Sequence, residues 1–212
     1  EFLLAEKLLP TSQFLDLAGG TGKYIPHFSN FTDSYHLVDL SAKMLEFAKN
    51  KSADSNKITF THQEQNKFLK NTKENTYDFV FSAMNPALES KEALVELNRI
   101  ANGNVGILRL IFDEDNLFSQ VEQLYLPNQE QNKEAQMLLY KVWLKELGWE
   151  FKSKKFRFFL SEKVSSQFFS DYFSDELSNA ELAALTQLFF SETEIREMER
   201  LVIFELLYWE KC

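Results

Sequence analysis

The stretch that decides the fold is Phe14-Leu15-Asp16-Leu17-Ala18-Gly19-Gly20-Thr21-Gly22-Lys23, an apolar run that breaks into a glycine loop. Glycines in such a loop remove side chains, so that backbone N–H groups and a following helix N-terminus can come close to a ligand. Three readings compete. A phosphate loop of the Walker type needs a Gly five residues before the Gly-Lys pair and a Ser or Thr after it, and those positions hold Leu17 and Tyr24. A dinucleotide fingerprint places a third Gly where Ile25 stands, and its side chain would crowd the helix against the sheet beside a pyrophosphate. The third reading is a nucleoside pocket without phosphates. In it Asp39, at the end of the next apolar run, offers two carboxylate oxygens to a vicinal ribose diol. Asp39 could instead serve only as a helix N-cap beside Ser41.

Outward from this loop, short apolar runs alternate with segments of helical period. Residues 13–18, 34–39, 57–62, 77–83 and 105–112 read as strands. Ser41 starts a helix in which Met44, Leu45 and Ala48 share a face, and residues 87–100 form a second helix closed by Asn102-Gly103 in a left-handed cap. Residues 63–76 are polar and loop-like. This alternation predicts a doubly wound, mostly parallel α/β sheet with helices on both faces.

Four segments in order resemble the class I S-adenosylmethionine-dependent methyltransferases, particularly their small-molecule branch. Asp16 through Gly22 is similar to the family's acid and glycine loop, and Asp39-Leu40-Ser41-Ala42-Lys43-Met44-Leu45 to its second motif. Tyr77-Asp78-Phe79-Val80-Phe81-Ser82-Ala83 resembles the fourth-strand motif, and Ala93 to Ile100 the helix before the fifth strand. The resemblance runs from about residue 10 to 113 and fades beyond. It implies a Rossmann-like sheet of seven strands, S-adenosylmethionine as cofactor, and cofactor contacts from Asp16, Ala18, Gly19, Gly20, Gly22, Asp39, Leu40, Met44 and Ser82. Met44 could equally be core. The adenine contact falls to Glu64 or Gln65, where the family often has Asp. The family's first loop glycine is Ala18 here, and a positive φ at that residue would cost about 1 to 2 kcal/mol.

Methyl transfer from a sulfonium needs positioning and water exclusion, and a general base only for an acceptor that is protonated at working pH. Tyr24, His27, Asn85, Asp113 and Tyr125 are the candidates near the expected pocket mouth. Asn85-Pro86 starts like the Asn-Pro-Pro-aromatic motif of amide and ring-amino methyltransferases, but Ala87 and Leu88 replace its second half. His36 lies mid-strand, where a satisfied core residue is expected; His62 lies near a strand end. No grouping has the spacing of metal ligands.

The second half is less regular. Residues 115–147 read as helical with a break at Pro127, 149–160 as a strand, 161–199 as a helical insertion, and 201–209 as a final strand. We expect one domain over 1–212, the insertion covering the substrate through Phe168, Phe169, Tyr172, Phe173, Phe189 and Phe190, or else using these rings only for packing. Lys152, Lys154, Lys155 and Arg157 form the densest basic patch, which alternation with apolar residues makes a solvated strand face.

Composition narrows the function. The chain of 212 residues carries 23 Lys+Arg against 32 Asp+Glu, a net charge of -9 that would repel a phosphate backbone. The one cysteine, Cys212, excludes a disulfide framework. No run is long and apolar enough for a membrane span, and the start has no signal-peptide order, so a cytoplasmic location is expected. The chain opens without Met inside an amphipathic segment, from which we expect an upstream stretch. The expected function is methyl transfer to a small-molecule acceptor. The alternatives are a non-catalytic cofactor-binding or partner-activating protein with the same fold, and a nicotinamide-dependent oxidoreductase.

Overall fold

The runs Phe14 to Leu17 and Phe79 to Phe81 become central strands because neither of their faces meets water: Phe14, Leu15, Leu17, Phe79, Val80 and Phe81 are all buried. The structure is a computed structural model that describes residues 1–52, 56–126 and 132–212. Its strands are β1 (Thr11–Leu17), β2 (Thr32–Asp39), β3 (Ile58–His62), β4 (Tyr77–Ala83), β5 (Ala101–Asp115), β6 (Lys152–Ser165) and β7 (Ile195–Glu210). They form one seven-stranded sheet in the order β3-β2-β1-β4-β5-β7-β6. The pairs β1–β2, β1–β4, β2–β3 and β4–β5 are parallel. Backbone bonds join Lys211 to Gly103 and Asn116 to Glu199, so β7 runs antiparallel to β5. This is the doubly wound sheet that the alternation predicts, with the seven strands and Rossmann-like order that the resemblance implies. The order reverses at β1, and in open sheets the ligand crevice lies beyond the carboxyl ends of the strands at that reversal.

The helices are α1 (Phe2–Ala5), α2 (Ile25–Phe28), α3 (Ala42–Lys51), α4 (Gln65–Asn71), α5 (Lys91–Ile100), α6 (Phe118–Tyr125), α7 (Ala135–Glu146), α8 (Ser166–Tyr172) and α9 (Asn179–Phe190). Ser41 caps α3 by accepting the Met44 N–H, and Ser90 caps α5 through the Ala93 N–H. Such caps are worth about 1 kcal/mol each.

Several boundaries differ from the sequence expectation. The stretch 63–76 is not all loop: Glu64 accepts the N–H groups of Asn66 and Lys67 and starts α4, which buries Phe68 and Leu69. The helix expected over 87–100 begins only after Ser90, and Asn102-Gly103 is not its cap. Both residues lie inside β5, where Gly103 is required by a close approach, since a Cβ would sit 2.6 Å from the Asp78 carbonyl oxygen. The segment 161–199 begins and ends as strand, with only α8 and α9 helical. Pro127, the expected helix break, lies outside the described residues.

The chain divides into two compact units. The first comprises Glu1–Arg109, Gln136–Lys154 and Glu205–Cys212; the second comprises Leu110–Ala135 and Lys155–Phe204. In the first, Met137, Tyr140 and Leu144 recur at helical spacing along α7 and are buried. The second has its own core, in which Leu117, Phe118 and Val121 meet Val164, Phe169, Phe173, Leu185 and Phe190. Of the six rings expected to cover a substrate, Phe169, Phe173 and Phe190 are therefore core, whereas Phe168 and Tyr172 are exposed.

Candidate cofactor site

The candidate site begins where β1 ends. Ala18 has φ 58°, the left-handed conformation that a methyl group disfavours, followed by Gly20 at 56° and Gly22 at 69°. Gly19 has no room for a side chain, because a Cβ would stand 2.6 Å from Leu37 Cγ and 2.7 Å from Asp16 Cγ. A Cβ on Gly22 would meet Ile25 Cδ1 at 2.6 Å and Ala48 at 3.1 Å, so this glycine lets α2 and α3 close over the loop. At Gly20 nothing lies within 4 Å, so the loop has one open face.

Asp39 ties this loop to the end of β2. Its Oδ2 accepts the Gly20 N–H at 2.8 Å and its Oδ1 the Ser41 N–H at 2.8 Å. Each oxygen keeps a further lone pair, which suits two neighbouring hydroxyls. Asp39 is not the helix cap, a role taken by Ser41. The N–H groups of Gly19 and Gly22 go to the carbonyls of Val38 and Gly19. With Gly20 on Asp39, these donors are spent inside the protein, and α2 is a single turn of four residues. An anion cradle of the pyrophosphate kind draws on glycine N–H groups and a sustained helix dipole, and here the three glycine donors are committed and the helix is one turn long.

Asp16 lies under the loop with no exposure to water. Tyr35 donates its hydroxyl to Asp16 Oδ2 at 2.6 Å, while Oδ1 has no partner. Burial raises the Asp16 carboxyl to about 7; the Tyr35 hydrogen bond opposes this and the Asp39 charge adds to it. Tyr24, stacked on Phe28 at 5.5 Å and edge-on to Phe81 at 5.1 Å, has its phenol pushed up by burial and by the Asp16 charge. The sequence did not single out Tyr35; a tyrosine in an apolar strand next to a strand ending on Asp was the available signal.

Leu40 and Met44 are exposed at 68% and 44%, so Met44 is not core and the two leave an apolar surface beside Asp39. Glu64 is exposed; the Asn66 and Lys67 N–H groups hold its carboxyl below the usual range. Gln65 is buried, its side chain committed to Asn85 at 2.6 Å and to the Ala87 carbonyl at 3.0 Å. Asn85 also donates to Ser82 Oγ at 2.9 Å, and Ser82 donates to the Leu17 carbonyl at 2.9 Å. Ser82, Asn85 and Gln65 thus form one buried network that fixes the carboxyl ends of β1 and β4. Two residues that the sequence did not mark join it. Met84 takes φ 53°, and the Arg109 guanidinium donates to the Asn85 carbonyl at 3.0 Å.

The other candidates fall elsewhere. His27 is exposed on α2. His36 is satisfied by Tyr77 at 2.6 Å and Thr61 at 2.8 Å, as expected of a core histidine, and burial lowers its pKa. His62 contacts the Leu40 carbonyl at 2.8 Å. Asp113 and Tyr125 belong to the second unit. There Arg200 grips the Asp113 carboxylate at 2.6 and 2.7 Å and holds its pKa down, so Asp113 is an anchored ion rather than a base. Among the described residues no group of His, Cys, Asp or Glu could hold a metal ion.

A sheet order that reverses at β1 and a glycine loop closed onto an acid at the end of β2 are the features that the resemblance to class I methyltransferases implies. Residues 14–102 match the family model of the methyltransferase domain, which supports S-adenosylmethionine as the cofactor that this part of the chain takes. Among solved structures it is similar to a putative type II methyltransferase from Anaeromyxobacter dehalogenans, with TM-score 0.63 at 14% identity over 99% of this chain and 94% of that one. A putative methyltransferase from Bacillus halodurans has TM-score 0.59 at 13% identity, over 99% and 97% of the two chains. The magnesium protoporphyrin IX methyltransferase of Synechocystis, solved with bound S-adenosylhomocysteine, has TM-score 0.50 at 17% identity, over 96% and 78%. At these identities the likeness is one of fold. No curated protein sequence matches the chain significantly.

Proposed function

We propose that the protein transfers a methyl group from S-adenosylmethionine to a small-molecule acceptor, using the glycine loop and Asp39 as the cofactor seat. The observation that carries this reading is the Asp39 carboxylate, with an oxygen on Gly20 and an oxygen on Ser41 and lone pairs left for a ribose diol. Ala18, Gly19, Gly20 and Gly22 form the floor, Leu40 and Met44 give the base an apolar surface, and Glu64 accepts from the adenine amino group. Gln65 and Ser82 act as positioning residues through the buried network with Asn85. Asp16, buried beneath the loop and held by the Tyr35 hydroxyl, acts as a positioning residue for it.

When bound, the cofactor supplies an electrophilic methyl carbon on a sulfonium. The chain's part is to orient it and to exclude water, which converts a bimolecular encounter into a positioned one. Tyr24 keeps its hydroxyl proton, because burial and the Asp16 charge both raise its pKa, and it serves as a hydrogen-bond donor rather than a base. His27 and Tyr125 carry no contact that assigns them a chemical role. Phe168 and Tyr172, expected to cover a substrate, are exposed in the second unit, where Tyr172 donates its hydroxyl to Glu122 at 3.0 Å. The net charge of -9 argues against a nucleic-acid acceptor. No helix among the described residues is long and apolar enough to cross a membrane, and a cytoplasmic location is part of this proposal.

Calorimetric titration tests the cofactor reading. Saturable binding of S-adenosylhomocysteine with no binding of a nicotinamide dinucleotide is expected. The reverse pattern would end it.

A further inference from the structure

The basic patch that the sequence marks on β6 is not absorbed by the cofactor site. It lies on a strand at the end of the sheet order, so among the described residues β7 is the one strand paired with β6 and no strand covers its outer edge. Nearly the whole strand is open to solvent: residues 152–155 and 157–163 are exposed on both faces. Phe158 is 48% exposed, Phe159 79% and Leu160 40%. Natural edge strands are usually blunted by lysine, and the first half of β6 follows that rule with Lys152, Lys154 and Lys155. The second half abandons it at the aromatic run.

The pattern is self-complementary. Two copies of one strand pairing antiparallel edge to edge are related by a two-fold axis normal to the sheet. Side chains opposite each other must then lie on the same face, so the axis passes through a residue rather than between two. With the axis at Phe158, one face sets Phe158 against its own copy, Phe156 against Leu160, and Lys154 against Glu162, the last two pairs each occurring twice. The other face sets Arg157 against Phe159 and Lys155 against Ser161. No like charges oppose each other. Moving the axis to Phe159 sets Lys155 against Lys163, and moving it to Leu160 sets Arg157 against Lys163; an axis at Ser161 opposes no like charges but pairs no opposite ones, so the axis at Phe158 is favoured as the one that brings Lys154 to Glu162 without a like-charge pair.

We propose that the outer edge of β6 is the interface of a two-fold homodimer, paired antiparallel about Phe158 with Lys154 of each copy facing Glu162 of the other. The ladder from Lys154 to Glu162 supplies about eight to ten main-chain hydrogen bonds, similar to a typical interface. The exposed aromatic run forms its apolar centre. This pairing extends each sheet across the axis and is independent of the cofactor reading.

Sedimentation equilibrium on the purified chain at about 1 to 200 µM, with circular dichroism to verify folding, is the test. A monomer–dimer equilibrium is expected. Glu162→Lys and Lys154→Glu each set like charges opposite one another twice and should weaken the dimer about tenfold or more. The double variant Lys154→Glu/Glu162→Lys should restore it. Phe158→Asp, with the fold unchanged, should give a monomer. A wild-type protein that is monomeric throughout the range, or a dimer indifferent to the single charge changes or not rescued by the double change, overturns the proposal.

Discussion

The two units bury different kinds of group. At the carboxyl edge of the sheet in the first unit, Asp16, Ser82, Asn85 and Gln65 are buried polar side chains, each held by a named partner. In the second unit the buried cluster is wholly apolar, rings from Phe118, Phe169 and Phe173 meeting at centroid distances of 5.3 to 5.8 Å. Apolar contacts are tolerant of partner and scale with area, whereas buried polar groups cost free energy unless one particular geometry is kept. The first region therefore holds its side chains in one particular geometry, and the second supplies cohesion.

The largest expected effect tests the cohesive side. Phe169 is fully buried among Phe118, Phe173, Phe189 and Phe190, so Phe169→Ala should cost about 3 to 5 kcal/mol of stability in thermal or denaturant unfolding. Affinity for S-adenosylhomocysteine, measured where the variant is still folded, should hardly move. A large loss of affinity in the folded variant would break the division between the two regions.

Next comes pH. The Asp16 carboxyl is raised from 3.8 to about 7 in the folded protein, so between these values the native state holds a proton that the unfolded chain has released. Stability associated with Asp16 is thus fully present below about pH 4 and is lost as pH rises through 7, by roughly 4 kcal/mol at about 1.4 kcal/mol per unit. The groups facing it are Tyr35, Tyr24 and Asp39. Unfolding free energies of Asp16→Asn should lack this decline, and a variant with the wild-type pH profile would show that Asp16 is not its source.

The smallest effect concerns the loop backbone. Ala18 holds φ 58°, so Ala18→Gly relieves steric strain of about 1 to 2 kcal/mol while giving back part of it as unfolded-state entropy. A gain of about 0.5 to 1 kcal/mol in stability is expected by denaturant titration. A loss would mean that the methyl group makes contacts that outweigh its strain.

This contrast also governs what the sequence revealed. β1, β2 and β4 were legible because strands buried on both faces need unbroken apolar runs, and Asp39 and Ser41 because loop and cap chemistry uses few residue types. α4 was hidden since Phe68 and Leu69 are the only apolar residues among its seven. The start of β7 was read as insertion because Arg196, Glu197, Glu199 and Arg200 mask the alternation that buries Met198 and Val202. The Ser82–Asn85–Gln65 network joins residues far apart in sequence, and no local pattern announces it. Cohesion in the second unit was visible as aromatic content, but which rings are core and which are exposed was not, because helical spacing over two short helices leaves both arrangements open.

Asp39 is the residue on which the proposed cofactor seat turns. Titration calorimetry of wild-type protein and Asp39→Ala with S-adenosylhomocysteine should show about 1.5 to 3 kcal/mol of lost binding, roughly a tenfold to hundredfold weaker Kd, since the carboxylate holds the Gly20 N–H and, in the proposed function, seats the ribose. Equal affinity for the folded wild-type and variant proteins would contradict the assignment of the glycine loop and Asp39 as the cofactor seat.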